Sequence, residues 1–350
     1  MPLKAFGYAT HSATSPLGPF GFERRDPNAD DVTIEILHCG VCHSDLHQAR
    51  NDWDNSIYPM VPGHEIVGRV VAVGSQVTRF KQGDRVGVGC MVDSCLKCEA
   101  CDDGLEQYCR CGPTFTYNCL DKEGAPAQGG YSDRIVVKDR FVVKIPEGLD
   151  LAAAAPLLCA GITLWSPLRH WKVGKDSKVG IVGLGGLGHM GIKLAKALGA
   201  HVALFSRSPG KAEDAKRLGA DEIVLSTDPE QMTRASGKFD LIVDTVPSGH
   251  DVNPYVSTLA TDGTLVVVGH LGGLEPPLDT IPMIMGRRSV AGSVIGGLAE
   301  TQEMFDFCGQ HGIVSDIETI KIQDIEKAYE RLLKSDVKYR FVIDMASLKA

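Results

Sequence analysis

Apolar and polar positions follow two different rhythms in this chain. Up to about residue 150, short apolar runs are broken by glycine, proline and charged turns: DVTIEIL at 31–37, EIVGRVVAVG at 65–74, DRVGVG at 84–89 and RIVVK at 134–138. Runs of that length, rich in β-branched residues and bounded by turn formers, predict an irregular, mainly β domain over 1–150. From residue 151 strand-like and helix-like stretches alternate. KVGIV (178–182) leads to HMGIKLAKALG (189–199), and HVALFS (201–206) leads to KAEDAKRLG (211–219). DEIVLS (221–226), FDLIVDT (239–245), GTLVVVG (263–269) and SVAGSVIGG (289–297) continue the series. Such alternation predicts an α/β domain over 151–299, a doubly wound parallel sheet of about six strands. The closing segment, 300–350, reads as helical and ends in YRFVIDM (339–345), a strand predicted to return to the first domain.

Length and composition agree with two domains. At 350 residues the chain exceeds what one hydrophobic core usually serves. Hydrophobic content of 43% and charged content of 23% are those of an ordinary globular protein. A net charge of −8 has the wrong sign for a partner of nucleic acid or anionic lipid. The longest apolar run, LAAAAPLLCAGITLW at 151–165, is interrupted by Pro156 and Gly161 and predicts a buried helix. It falls short of the roughly 20 residues that span a bilayer. The N-terminal MPLKAFGYAT has neither the apolar core of a signal peptide nor an arginine-rich presequence, so the expected location is the cytoplasm.

Eleven cysteines would suit a small secreted scaffold, but here they cluster at metal-ligand spacing. Cys95, Cys98, Cys101 and Cys109 form C-x2-C-x2-C-x7-C within fifteen residues. Four sulfurs on one loop can close a tetrahedral zinc and leave no position for substrate, so this site reads as structural. A zinc ribbon for nucleic acid would bring a basic surface. Segment 92–111 instead carries Asp93, Glu99, Asp102, Asp103 and Glu106 against Lys97 and Arg110. Cys39, Cys90, Cys111, Cys119 and Cys308 fit no metal pattern and read mostly as small hydrophobes. Cys111, two residues beyond a proposed ligand, stands close enough in sequence to compete with it.

A second motif, Gly183-Leu184-Gly185-Gly186-Leu187-Gly188, directly follows an apolar strand and directly precedes a helix. Glycines there let the backbone approach a pyrophosphate while the helix N-terminus offers free N–H groups. NAD-binding versions place an acid about 20 residues on, to grip the ribose. This chain has Ser206-Arg207-Ser208-Pro-Gly-Lys211, with no acid between His201 and Glu213. Hydroxyls and two cations suit a 2′-phosphate, so the expected cofactor is NADP(H).

Cys42 in GVCHSDLH, His64 in PGHEIVG and Cys159 in APLLCAGIT could meet at another zinc. Two cysteines and one histidine leave a fourth position open, the arrangement of a metal that does chemistry.

Taken together, these motifs resemble those of the zinc-dependent medium-chain alcohol dehydrogenases, particularly their cinnamyl-alcohol-dehydrogenase-like branch of microbial aldehyde reductases. Gly63-His64-Glu65-x2-Gly68-x5-Gly74-x2-Val77 matches the family's zinc signature, and the resemblance runs from the first strands to VKYRFVID at 337–344. It implies a GroES-like catalytic domain joined to a Rossmann domain, and two zinc ions per subunit. The implied reaction is hydride transfer between NADP(H) and an aromatic or medium-chain primary alcohol or aldehyde. Cys42, His64 and Cys159 are implied as catalytic zinc ligands, Glu65 as a transient fourth and Asp45 as the carboxylate orienting His64. Ser44, the cofactor ribose and His47 are implied as a proton relay. Thr163, Thr245, Gly269, Ser293, Val294, Ile295 and Arg340 are implied cofactor contacts, the last as a guanidinium forked onto the pyrophosphate. Cys159 and the 206–211 segment argue against an NAD-dependent polyol or formaldehyde dehydrogenase. A homodimer paired through the last strand of the cofactor sheet, about 289–295, is also implied.

Overall fold

In a computed structural model, which describes residues 3–269 and 272–349, the chain forms two compact units. They are Met1–Cys159 with Gly296–Ala350, and Ala160–Ile295. The divisions fall at 159/160 and 295/296 instead of 150 and 299.

The first unit is organised by one long strand, Asp31–Val41. Val32, Ile34 and Ile36 are buried on it, each contributing roughly 1.5–3 kcal/mol on burial. Three partners hold that strand. Ile66–Val73 pairs along one edge; on the other, Arg134–Lys138 pairs with its first half and Arg340–Asp344 with its second, all antiparallel. Arg85–Val88, Val143–Lys144 and Ile317–Lys321 complete the seven-stranded sheet, and Leu3–Ala9 with Gly18–Arg24 forms a separate hairpin. The expectation of a strand at 31–37 was therefore four residues short, because its last residues are covered by Arg340–Asp344, from the far end of the chain. That extension delivers Cys42 to the point where helix His43–Ala49 begins.

The second unit is a six-stranded, wholly parallel sheet. Its order is Glu222–Leu225, His201–Ser206, Lys178–Val182, Phe239–Asp244, Leu259–Val267 and Ser289–Gly292. The chain builds outward from Lys178–Val182 in one direction, then returns to build outward in the other. The crevice where order reverses lies between Val182 and Asp244, at the carboxyl ends where doubly wound sheets bind ligands. Phe205 anchors the core edge-on to Phe239 and Tyr255, at 5.2 and 5.4 Å between centroids.

Two expectations need correction. The run 151–165 is not one helix: helix Leu151–Ala154 gives way to a 3-10 turn, Ala155–Leu158, and a new helix starts at Ala160. Pro156 lacks the N–H to continue the first helix, and the break sets Cys159 between the two. The last strand of the cofactor sheet stops at Gly292. Val294 and Ile295 are therefore not strand residues; Ile295 lies in the left-handed region at φ 37° and Val294 is 48% exposed. Among the described residues no single helix is long and apolar enough to cross a membrane.

Candidate active site

The thiolate lobe is built locally. A helical turn, Glu99–Asp102, and a 3-10 turn, Glu106–Tyr108, fold the loop on itself. The sulfurs of Cys95, Cys98, Cys101 and Cys109 converge within 4.8 Å of one another. Distances of 3.9 Å (Cys95–Cys101), 3.6 Å (Cys98–Cys101) and 4.0 Å (Cys98–Cys109) match the edge of about 3.8 Å expected for a zinc tetrahedron with Zn–S near 2.3 Å. Backbone N–H groups aim at the sulfurs: Cys95 N–H donates to Cys109 Sγ and Arg110 N–H to Cys98 Sγ, both at 3.4 Å. The Lys97 N–H on Cys95 Sγ holds that thiol down to about 6, well into the thiolate range at neutral pH.

The second site draws on three distant stretches of chain. Cys42 Sγ and Cys159 Sγ lie 4.0 Å apart, and the ligand atoms of Cys42, His64, Glu65 and Cys159 are all within 4.8 Å of each other. All four residues are buried. The hydrogen bond between Cys42 and Cys159 pushes the Cys42 thiol well down and the Cys159 thiol well up.

Asp45 organises this site. Fully buried, it accepts from His64 Nδ1 at 3.1 Å and from Gly63 N–H at 3.0 Å through Oδ1. Its Oδ2 accepts from Cys42 N–H at 2.9 Å and Tyr131 Oη at 3.3 Å. The bond to Nδ1 fixes the His64 tautomer and turns Nε2 toward the sulfurs, the usual role of a carboxylate behind a metal-binding histidine. Tyr117 stacks on the same imidazole at 5.8 Å.

Glu65 is also fully buried and pairs through Oε1 with Arg340. Its Oε2 has no partner among the described residues, an orphaned acceptor in a low-dielectric site. Burial pushes the carboxyl up to about 8, against the pull of Arg340. Glycine at 40 is required here: a Cβ would lie 1.8 Å from Glu65 Oε2. Two sulfurs, an oriented imidazole and a reachable carboxylate form a donor set that fits zinc with one position open.

Ser44 Oγ lies 3.7 Å from Cys42 Sγ, beside the metal ligands. His47 is on the same short helix, its Nδ1 2.8 Å from Asp52 Oδ2 and its side chain 28% exposed. One member of the expected relay thus faces the site and the other the surface. Trp165 is only 1% exposed and belongs to the core of the second unit.

The glycine turn occupies the switch point. Gly183 follows Val182 at φ 89°, and helix Gly188–Ala197 begins five residues later. A Cβ on Gly188 would meet Gly183 O at 2.0 Å, whereas one on Gly185 would meet nothing within 4 Å. One glycine serves close packing and the other leaves open space for a ligand. Leu184 is buried and Thr245 Oγ1 donates to Val182 O at 2.8 Å, tying the two central strands together beside the turn. Gly186 and Leu187 complete the loop. Ser293 N–H donates to Val267 O at 3.1 Å, Gly269 lies against Val246, and Thr163 is buried in helix Ala160–His170.

At the end of the second strand, Ser206 Oγ accepts from Ser208 N–H at 3.1 Å and Ser208 Oγ from Gly210 N–H at 3.3 Å. Lys211 Nζ donates to Leu184 O at 2.8 Å, bridging this segment to the glycine turn, while Arg207 is exposed. Burial and the neighbouring Arg207 lower the Lys211 ammonium.

Sequence reasoning missed several participants. Arg340, expected on a pyrophosphate, is 2% exposed and engaged with Glu65; its Nε has no partner among the described residues. Tyr131 and Gly40 carry no motif that would have marked them. Cys90, read as a small hydrophobe, donates its thiol to Leu158 O at 3.9 Å, one residue before Cys159. The glycine-flanked strand preceding it, Arg85–Val88, was the available signal.

Comparison with known proteins gives two family matches. Residues 28–147 match the alcohol dehydrogenase GroES-like domain, and residues 186–310 match zinc-binding dehydrogenase. Aldehyde reductase YahK of Escherichia coli is 54% identical over 350 residues, covering 99% of each chain. Probable mannitol dehydrogenase 1 of Stylosanthes humilis is 53% identical and covers 98% of this chain and 97% of its own. The crystal structure of the enzyme called CAD from Helicobacter pylori, complexed with NADP(H), superposes with a TM-score of 0.92 at 42% identity over 99% of both chains.

Proposed function

This chain belongs to the zinc-binding alcohol dehydrogenase family, and we propose that it works as an NADPH-dependent aldehyde reductase of the cinnamyl-alcohol-dehydrogenase type. The observation that carries the reading is the convergence of Cys42, His64 and Cys159, with Asp45 holding the far side of the imidazole. Bound there, zinc supplies Lewis acidity toward the substrate carbonyl, and reduced nicotinamide supplies the hydride. Two thiolates balance the charge of a dication, so the site is close to neutral and does not trap an anionic product. Glu65, paired with Arg340, would be available as a further zinc ligand. Ser44, with its Oγ 3.7 Å from Cys42 Sγ, is placed to hydrogen-bond the substrate oxygen, and His47 with Asp52 carries the proton to solvent.

NADP(H) is favoured over NAD(H) because segment 206–211 presents hydroxyls and two cations where an acid would grip a ribose. Gly183 to Gly188, Thr163, Thr245, Gly269 and Ser293 line the cofactor in this reading, and Arg340 braces the zinc ligands. Aromatic aldehydes and medium-chain aliphatic aldehydes are the proposed substrates. The mannitol-named relative is as similar as the aldehyde reductase, so overall identity does not choose between substrates. The deciding experiment is initial rates with cinnamaldehyde, benzaldehyde, hexanal, formaldehyde and mannitol, each with both nicotinamide cofactors. The reading expects the first three to lead with NADPH or NADP; formaldehyde or mannitol leading with NAD would replace it.

We also infer a cytoplasmic homodimer. Ser289–Gly292 is the outermost strand of its sheet, and the neighbouring helix Thr280–Gly286 exposes Ile281, Ile284 and Met285 by 65%, 72% and 82%.

A further inference from the structure

His64 is carried by a stretch, 61–65, that is neither helix nor strand, so its direction is set from outside. The support is segment 128–134, laid against residues 59–63. Gln128 Oε1 accepts from Val61 N–H at 2.7 Å, and its Nε2 donates to Pro59 O at 2.9 Å. The N–H groups of Gly129, Gly130 and Tyr131 donate to Val61 O, Gly63 O and Pro62 O at 2.7, 2.8 and 2.9 Å. Side chains would not allow so close a fit. Gly63, at φ 103°, has Tyr131 Cδ1 2.7 Å from where a Cβ would stand, and a Cβ on Gly130 would lie 2.3 Å from Ile66 Cγ1. Tyr131, fully buried, donates its hydroxyl to Asp45 Oδ2 at 3.3 Å. The other oxygen of that carboxylate holds His64 Nδ1. One segment thus grips both the backbone that carries the imidazole and the carboxylate that orients it.

Segment 128–134 is in turn held by Arg24, the last residue of hairpin strand Gly18–Arg24. The guanidinium donates from Nε to Arg134 O at 3.0 Å and from Nη1 to Gln128 O. From Nη2 it donates to Gly129 O and Ser132 Oγ at 2.9 and 2.8 Å. The partner hairpin strand adds Tyr8 N–H on Tyr131 O at 2.9 Å and Phe6 N–H on Asp133 Oδ1 at 3.0 Å. Arg24 is buried, which pulls its guanidinium down to about 9 against the opposing pull of Asp133. A cation so far from water is costly unless its donors are engaged. Here all three nitrogens are.

We propose that Arg24 and Tyr131 are positioning residues of the assembled zinc site. Arg24 fixes segment 128–134, and Tyr131 passes that hold to Asp45 and His64. Neither is among the four residues whose donor atoms converge. On the reading that Cys42, His64 and Cys159 hold zinc, both act by keeping His64 Nε2 aimed at it. Without the Tyr131 hydroxyl, Asp45 Oδ2 keeps the Cys42 N–H but loses a donor, and the imidazole gains freedom with the carboxylate. Outer partners of this kind are worth roughly 10–100-fold in metal affinity.

Full-length, zinc-loaded protein is challenged with a chromogenic chelator, and release is resolved into a phase from the assembled site and a phase from the lobe. Cys159→Ser, which keeps the lobe, identifies the second phase. Tyr131→Phe removes one hydroxyl and leaves the ring to fill the core. It should carry as much zinc as wild type yet release the assembled-site ion on the order of tenfold faster, with the lobe phase unchanged. Arg24→Met should speed the same phase further. Should it fold poorly, Arg24→Lys, which keeps the charge without the fork of donors, should speed that phase too. Cobalt exchanged into the assembled site should show shifted d–d bands in these variants, because the bands report ligand geometry. The kcat should fall while KM for NADPH holds. Phe239→Leu, a core change in the other unit, should lower thermal stability but leave release and bands as in wild type. Wild-type release and bands in Tyr131→Phe, or in whichever Arg24 variant folds, would overturn the proposal. So would equal acceleration of the lobe phase, or the same changes in Phe239→Leu. Wild-type protein with no zinc beyond the lobe would instead overturn the reading underneath it.

Discussion

The chain contains two clusters of metal-binding side chains that share cysteine but differ in construction. The 95–109 lobe takes all four ligands from one loop and solvates its sulfurs with nearby backbone N–H groups. The other cluster takes Cys42 from the end of a strand, His64 from the irregular segment before strand Ile66–Val73 and Cys159 from a break between helices, and buries them all. A local loop can close around a cation with little help from the fold. A site assembled from distant segments needs the whole sheet to align it, and supporting side chains such as Asp45, Tyr131 and Arg340. What it gains is an unfilled position in a low-dielectric setting, where a charge developing on substrate is strongly felt. The contrast separates a site that stabilises from a site that reacts, and mutations should divide along the same line.

The largest effect is expected at the assembled site. His64→Ala should lower kcat/KM on the order of 10³-fold or more, since it removes Lewis-acid stabilisation amounting to several kcal/mol. Thermal unfolding should change far less. In the lobe the pattern reverses: Cys101→Ser should destabilise by several kcal/mol in thermal unfolding, with residual folded enzyme near normal in kcat. A Cys101→Ser protein that unfolds like wild type would erase the distinction. Ser44→Ala sharpens the comparison within the reacting site. Turnover should drop on the order of 10²-fold, with zinc content unchanged, as expected for loss of one proton-transfer partner; unaltered turnover would remove Ser44 from the relay. The smallest effect concerns the cofactor alone. Ser206→Asp should lower the NADPH-to-NADH ratio of kcat/KM by about tenfold, equivalent to about 1.4 kcal/mol of repulsion against a 2′-phosphate. A constant ratio would move the phosphate site elsewhere.

The lobe was wholly readable because its ligands and its geometry share one stretch of chain. The glycine turn was readable for the same reason: strand, turn and helix are contiguous, and Gly185 and Gly188 do their work within six residues. Arg340 was not. Its pairing with Glu65 depends on Arg340–Asp344 returning to Asp31–Val41, a contact across some three hundred residues that no local period encodes. Cys90 escaped notice because its contact with the Leu158 carbonyl is likewise tertiary. The end of the last strand at Gly292 was missed because SVAGSVI reads as continuous β while the backbone turns left-handed at Ile295. Local chemistry was legible and partner choice was not.

The central claim is that Cys42, His64 and Cys159 hold a zinc distinct from the lobe's. Its most direct test is the zinc content per polypeptide of wild type and Cys159→Ser, purified without chelator. The account predicts two in wild type and one in the variant, with lobe cysteines still protected from alkylation in both. One zinc in each, confined to the lobe, would contradict it.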